Sequence, residues 1–233
     1  LTKILRDNGT MKGIITLEEL SEAYIKETLQ EFSNKDAVSC VTTESSYTIP
    51  GKGPHVAAVD FGIKSNILRS FQRRGCKITV FPANASCEEI LKVNPDLIFL
   101  SNGPGDPEDL TDIIENVKGL IGKKPIVGIC LGHQLLALAL GGKTSKLKFG
   151  HRGCNHPVKD LEENKVYITT QNHGYYVSEL PKDMKVTHVS VNDGTVEGMR
   201  HEKLPIYCVQ FHPEACPGPK DVDYIFDKFL EVR

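Results

Sequence analysis

The chain has 233 residues, of which 25% are charged and 39% apolar, and a formal net charge of −2. That is the composition of a globular domain with a sizeable core, and it places the chain in the soluble class. No basic stripe suggests nucleic acid, no apolar run is long enough to span a bilayer, and the N-terminus lacks the charged-then-apolar pattern of a secretory signal.

Residues 1–53 differ in pattern from the rest. Thr16, Leu17, Glu18 and Glu19 read as a capping box, so a helix is predicted from there to about Phe32, with Leu17, Leu20, Tyr24 and Leu29 on its buried face. The Pro50, Gly51, Lys52, Gly53, Pro54 run reads as a linker. An alternation of strand and helix then begins. Strands are predicted at 55–61, 77–81, 96–101 and 125–129, and helices at 63–74, 86–93, 107–121 and 131–140. Such an alternation with short connections predicts an α/β fold: an open, mostly parallel twisted sheet with helices on both faces. The remainder is read as additional short β segments around 158, 166–170, 186–191 and 206–211, closed by a helix over about 220–230.

The seven cysteines, Cys40, Cys76, Cys87, Cys130, Cys154, Cys208 and Cys216, are odd in number and form no CxxC pair. A disulfide framework and a structural zinc site are therefore disfavoured, and a reducing, cytoplasmic compartment is expected. The remaining histidines show no metal-ligand spacing, so no metal site is predicted.

Cys130 stands apart. It lies in the stretch GICLGHQ at 128–134, between Gly128 and Gly132, after a predicted strand and before a predicted helix. This is the shape of a nucleophile elbow with Cys in the place of Ser. Small flanking residues let neighbouring backbone pass a sharp turn. The helix that starts at the nucleophile favours the thiolate through its N-terminal dipole, and the next backbone N–H, on Leu131, is free to meet an oxyanion.

A thiol nucleophile needs a base, and the base an orienting group. Gln210, Phe211, His212, Pro213 and Glu214 follow a predicted strand, and residues two apart on extended chain share a side. His212 and Glu214 can then serve as general base and orienter. A third piece, SNGPGDP at 101–107, closes a predicted parallel strand, the edge at which open α/β sheets bind ligands, and its glycines can present bare N–H groups. Gly142, Lys143 and Thr144 do not complete a phosphate-binding loop, because that pattern needs glycine where Ala137 stands.

Taken in order, these segments resemble the class I (triad) glutamine amidotransferases and, within them, the glutaminase half of carbamoyl phosphate synthetase small subunits. The likeness is carried by DFGIK at 60–64, SNGPGDP at 101–107, GICLGHQ at 128–134, QNHG at 171–174 followed by Tyr175, and HPEACPGP at 212–219, and it covers about residues 54–233. The resemblance implies the flavodoxin-like amidotransferase fold over 54–233, with 1–53 as the remnant of an N-terminal small-subunit domain and its linker. It implies hydrolysis of the side-chain amide of L-glutamine through a thioester on Cys130, with His212 and Glu214 completing the triad. The backbone N–H groups of Leu131 and Gly103 would form the oxyanion hole, and Gly105, Gln134, Asn172, Gly174 and Tyr175 would contact glutamine. Ammonia would be channelled to a large synthetase subunit that uses ATP, Mg and bicarbonate to make carbamoyl phosphate for pyrimidine and arginine synthesis. The chain itself would hold no cofactor.

Two departures accompany the likeness. Leu1 is not a start methionine, and residues 1–11 look like the end of the family's additional N-terminal domain, so a truncated chain is expected, without the serine which that domain adds to the glutamine pocket. Arg152 and Cys154 stand where relatives more often have His and Gly. Two other readings remain open: another triad amidotransferase, and a catalytically silent partner-binding module of the same fold.

Overall fold

The computed structural model describes residues 1–232. The strands are β1 (Tyr47–Ile49), β2 (His55–Asp60), β3 (Lys77–Pro82), β4 (Leu97–Leu100), β5 (Ile126–Ile129), β6 (Lys143–Asp160), β7 (Lys165–Glu179), β8 (Met184–Ser190), β9 (Val196–His201) and β10 (Ile206–Val209). The helices are α1 (Thr2–Asn8), α2 (Glu22–Glu31), α3 (Ala37–Val41), α4 (Ser65–Arg73), α5 (Cys87–Lys92), α6 (Thr111–Leu120), α7 (Leu131–Ala139) and α8 (Ile225–Glu231).

All strands join one ten-stranded sheet in the order β1-β3-β2-β4-β5-β10-β9-β8-β6-β7. The block from β3 to β10 is parallel, as the sequence predicts, and the flanking strands are antiparallel. Strands of the parallel block are buried on both faces, so their apolar runs are continuous, and side-chain alternation divides them between two cores. Ala57, Val59, Ile98 and Leu100 face a core completed by α5, α6 and α7. Val56, Ala58, Leu97 and Phe99 face one completed by α4 and α8, where Phe71 meets Phe99 and Phe226 edge-on at centroid distances of 5.2 Å.

The chain enters the parallel block at β2, moves to β3 on one side, then crosses to β4 on the other. That reversal opens a crevice at the C-terminal ends of β2 and β4, where ligands of such sheets bind. Side chains stitch its two walls together. Ser101 Oγ accepts from the Phe61 N–H (2.8 Å), and Asn102 Nδ2 donates to the Gly62 carbonyl (2.9 Å).

Three predicted elements differ. The first helix starts at Glu22, not after Thr16. The Thr16 hydroxyl accepts from the Glu18 N–H only two residues on, a local turn, whereas Ser21 accepts from Tyr24 and caps the helix. Leu17 and Tyr24 are exposed and α2 buries no residue fully, so the expected core face is absent. The region read as short β segments holds a long antiparallel ribbon, β6–β7, with register breaks that let a sequence without a clean alternation stay paired. The last helix begins at Ile225, after turns at 221–224. Within residues 1–53, β1 adds an antiparallel edge to β3, and Val38 packs into the core.

Candidate active site

The elbow sits between β5 and α7. Cys130 has φ 55° and ψ −102°, an unfavourable backbone for a residue with a side chain, and its N–H is held by the Val209 carbonyl of neighbouring β10 at 2.9 Å. The flanking glycines are steric necessities. A Cβ on Gly128 would stand 2.9 Å from the Gly132 carbonyl carbon, and a Cβ on Gly132 would overlap the Leu100 carbonyl of β4. The first turn of α7 can approach the sheet only because both lack side chains. Leu131 is the first residue of α7, so its N–H has no acceptor within the helix. Gly103, in the loop after β4, lies against it: a Cβ there would come within 2.6 Å of Leu131 Cδ2 and overlap the Phe61 carbonyl.

His212 follows β10, anchored by its N–H to the Thr170 carbonyl at 2.8 Å. Its Nδ1 donates to Glu214 Oε1 at 2.8 Å, and Cys130 lies near enough to perturb the ring electrostatically. All three side chains are buried. Burial alone would lower the His212 pKa, but Glu214 and Cys130 outweigh it and hold the imidazole above its ordinary value. Burial alone would raise Glu214; His212 and Lys64 hold it below the usual carboxylate range.

Lys64, the last residue of DFGIK, has no role in the sequence reading. Its Nζ lies 3.2 Å from Glu214 Oε1 and 3.2 Å from His212 Nδ1. An ammonium can only donate, and Nδ1 already donates to Glu214. We therefore read the close nitrogens as two donors converging on one carboxylate oxygen. Asn66 donates to the Glu214 and Ala215 carbonyls and fixes the backbone behind the pair. The sequence signal for both is their place just after β2, at the crevice.

These shifts have a consequence for pH. A raised His212 stabilises the fold fully below its unfolded value and loses that contribution as pH rises through the folded one. A lowered Glu214 contributes above its unfolded value and loses it as pH falls through the folded one. The pair is thus worth most between roughly pH 4.3 and 6.5. Glu214→Gln is expected to lower the His212 titration point in proton NMR, and its destabilisation in urea melts should shrink from pH 6 toward alkaline pH. An unchanged His212 titration would contradict the assignment.

A cleft of about 970 Å³ opens over Cys130 and His212. Gly103, Gly105, Gln134, Asn172, Gly174 and Tyr175 line it, while Leu131 and Glu214 stand behind its wall. Gln134 Nε2 donates to the Tyr175 carbonyl (2.8 Å) and to Gln210 Oε1 (3.0 Å), which uses both its protons and leaves its oxygen as acceptor.

The β6–β7 ribbon presents two different faces here. Arg152 pairs with Asn172 on the cleft side, and His151 pairs with His173 on the buried side. Ligand atoms of His151, His173 and Glu197 lie within 4.8 Å of one another, the one such group among the described residues. Their nitrogens already meet oxygens: His151 those of Gln171 (2.8 Å) and Asp193 (2.7 Å), His173 those of Tyr175 (2.7 Å) and Gln171 (2.9 Å). The Glu197 carboxylate, 3.3 Å from its Nδ1, lifts His151 to about 9 against the opposing effect of burial, and burial lowers His173 to about 3. The group backs the cleft strand, with His151 and His173 bonded through Gln171 and the Glu197 carboxylate buried beside them, and His173 fixes the carbonyl that also holds Gln134.

The arrangement supplies a thiol on a strained turn, an imidazole oriented by a carboxylate, and the free N–H at the start of α7. No helix among the described residues is long and apolar enough to cross a membrane. Residues 57–232 match the family described as glutamine amidotransferase class-I. Among curated relatives, the chain is 66% identical to the carbamoyl phosphate synthase small chain of Clostridium perfringens, over 99% of this chain and 66% of that one. It is 49% identical to the carbamoyl phosphate synthase pyrimidine-specific small chain of Bacillus subtilis, over 100% of this chain and 64% of that one. The chain thus spans about two thirds of the length of these relatives. Among solved structures, a putative GMP synthase component of Thermoplasma acidophilum aligns with a TM-score of 0.70 and 25% identity, covering 78% of this chain and 95% of that one.

Proposed function

This chain belongs to the class-I glutamine amidotransferases, in the branch of the carbamoyl phosphate synthase small chains, and from that premise we propose that it hydrolyses the side-chain amide of L-glutamine and delivers the ammonia to a large synthetase subunit. The observation that carries the reading is Cys130 at a strained elbow, in one cleft with a buried His212 that Glu214 orients.

The steps follow from that geometry. The Cys130 thiolate attacks the amide carbon, and the resulting oxyanion turns toward the N–H groups of Leu131 and Gly103. His212, as imidazolium, protonates the amide nitrogen. The C–N bond breaks, ammonia leaves, and a glutamyl thioester remains. Water then attacks the thioester, His212 takes its proton, and the C–S bond breaks to return thiolate and free glutamate. Glu214 stabilises the imidazolium in each half, and Lys64 keeps Glu214 ionised. The acceptor oxygen of Gln134 suits the substrate's α-ammonium.

Carbamoyl phosphate synthesis needs ATP, Mg and bicarbonate, and we place those in the large subunit, leaving this chain without a cofactor or metal of its own. The division into a 54–233 glutaminase domain and a 1–53 remnant, and a cytoplasmic setting, belong to the same proposal. Glutamate release from glutamine, measured with and without the large subunit, tests it. Release that requires Cys130 and couples to carbamoyl phosphate in the complex is expected. Binding of the large subunit with no Cys130-dependent hydrolysis in either state would leave a silent partner-binding module.

A further inference from the structure

Arg152 sits on the cleft face of the β6–β7 ribbon, and its charge is unanswered. Its register partner is Asn172, and alternation puts Gly150 and Gly174 on the same face. The guanidinium fills the space that these two glycines leave. A Cβ on Gly150 would overlap Nη1 and come 3.0 Å from Cζ; a Cβ on Gly174 would stand 3.7 Å from Nη2. Nη1 donates to the Phe149 carbonyl, the one hydrogen bond of this side chain among the described residues. Most of its five donors are therefore open.

The other cations of the cleft are differently placed. Lys64 is committed to Glu214, and Lys12 Nζ donates to the Phe32 carbonyl at 2.5 Å. Lys146 lines the cleft as well, but it has neither the slot nor the planar fork. A glutamine whose amide lies at Cys130 carries its one full negative charge, the α-carboxylate, at its far end. A guanidinium seated against Gly150 and Gly174 is the group best built to meet a carboxylate in a two-pronged contact.

We propose that Arg152 is a specificity-determining residue that reads the α-carboxylate of glutamine, a refinement that rests on the glutaminase reading of the cleft. The contact forms in the bound substrate and persists through the reaction, so its loss should raise KM and leave kcat nearly unchanged.

The test is steady-state ammonia release by the full chain, joined to the large subunit where turnover needs it. Wild type, Arg152→Ala and Arg152→Lys would be compared on glutamine and on 4-aminobutanamide, which is glutamine without its α-carboxylate. Arg152→Ala is expected to raise KM for glutamine about 10- to 100-fold, the range of a hydrogen bond to a charged group. Arg152→Lys should fall between, having charge without the fork. Wild type should lose a similar factor on 4-aminobutanamide, and Arg152→Ala should lose little more, because the variant has nothing left to read the missing group. An active Arg152→Ala enzyme with unchanged KM, or one that still discriminates against the analogue as wild type does, overturns this inference alone. A wild-type chain with no Cys130-dependent ammonia release overturns the glutaminase reading, and this inference with it.

Discussion

Cys130→Ala is expected to lower kcat/KM for glutamine by about 10³-fold or more, because no other cysteine among the described residues lines the cleft. Cys76, Cys87 and Cys208 lie away from the cleft, and Cys40, Cys154 and Cys216 are exposed outside it. Cys130→Gly should be equally inactive yet at least as stable as wild type. The φ of 55° with ψ of −102° is costly for any residue with a side chain and cheap for glycine. Relief of such strain is worth about 1–3 kcal/mol, set against the packing of one small side chain. A rise in melting temperature together with loss of glutaminase would show that the strain at this turn is maintained for function. A marked fall in stability of Cys130→Gly would contradict that view of the elbow.

The second large effect is on the fold itself. Gly132→Val puts a branched side chain where the Leu100 backbone already stands, between a central strand and the first turn of α7. Neither wall can give, since β4 is hydrogen-bonded on both sides and α7 is buried along most of its length. Overpacking of this kind is expected to cost about 3 kcal/mol, read as a lower urea midpoint at unchanged slope. Gly13→Ala is the matched control, because nothing lies within 4 Å of the added carbon, and it should shift the midpoint little. Equal effects of the two substitutions would contradict the close approach of α7 to the sheet.

Both results turn on features that the sequence displays openly. The apolar runs of β2, β4 and β5 are long enough, and their punctuation by glycine and proline regular enough, to fix the parallel block before any coordinates are known. The GxCxG spacing then marks where strand gives way to helix. The grouping of Cys130, His212 and Glu214 was legible for the same local reason: each sits at a strand end or two residues from its partner. What was not legible depends on pairing between distant segments. The β6–β7 ribbon has register breaks at Lys146/His151 and Gly153/His156, so no simple alternation announces it. The buried His151, Gln171, His173 and Glu197 cluster is assembled only by that ribbon and β9. Lys64 and Arg152 were visible as residues, yet their relevance comes from what lies opposite them, Glu214 across the crevice and Gly174 across the ribbon. The first helix was misplaced because Thr16 offers a capping box in sequence and Ser21 does not, yet the hydrogen bonds put the cap at Ser21.

The central claim is that Cys130 takes the glutamyl group from glutamine. The most direct measurement is acid quench of the full chain during turnover with glutamine, followed by mass spectrometry of its peptides, with Cys130→Ala in parallel. A single glutamyl group on the peptide that contains Cys130, absent in the variant and removed by hydroxylamine, is the predicted result. Glutamate release without any adduct on Cys130, or an adduct that persists in Cys130→Ala, would contradict it.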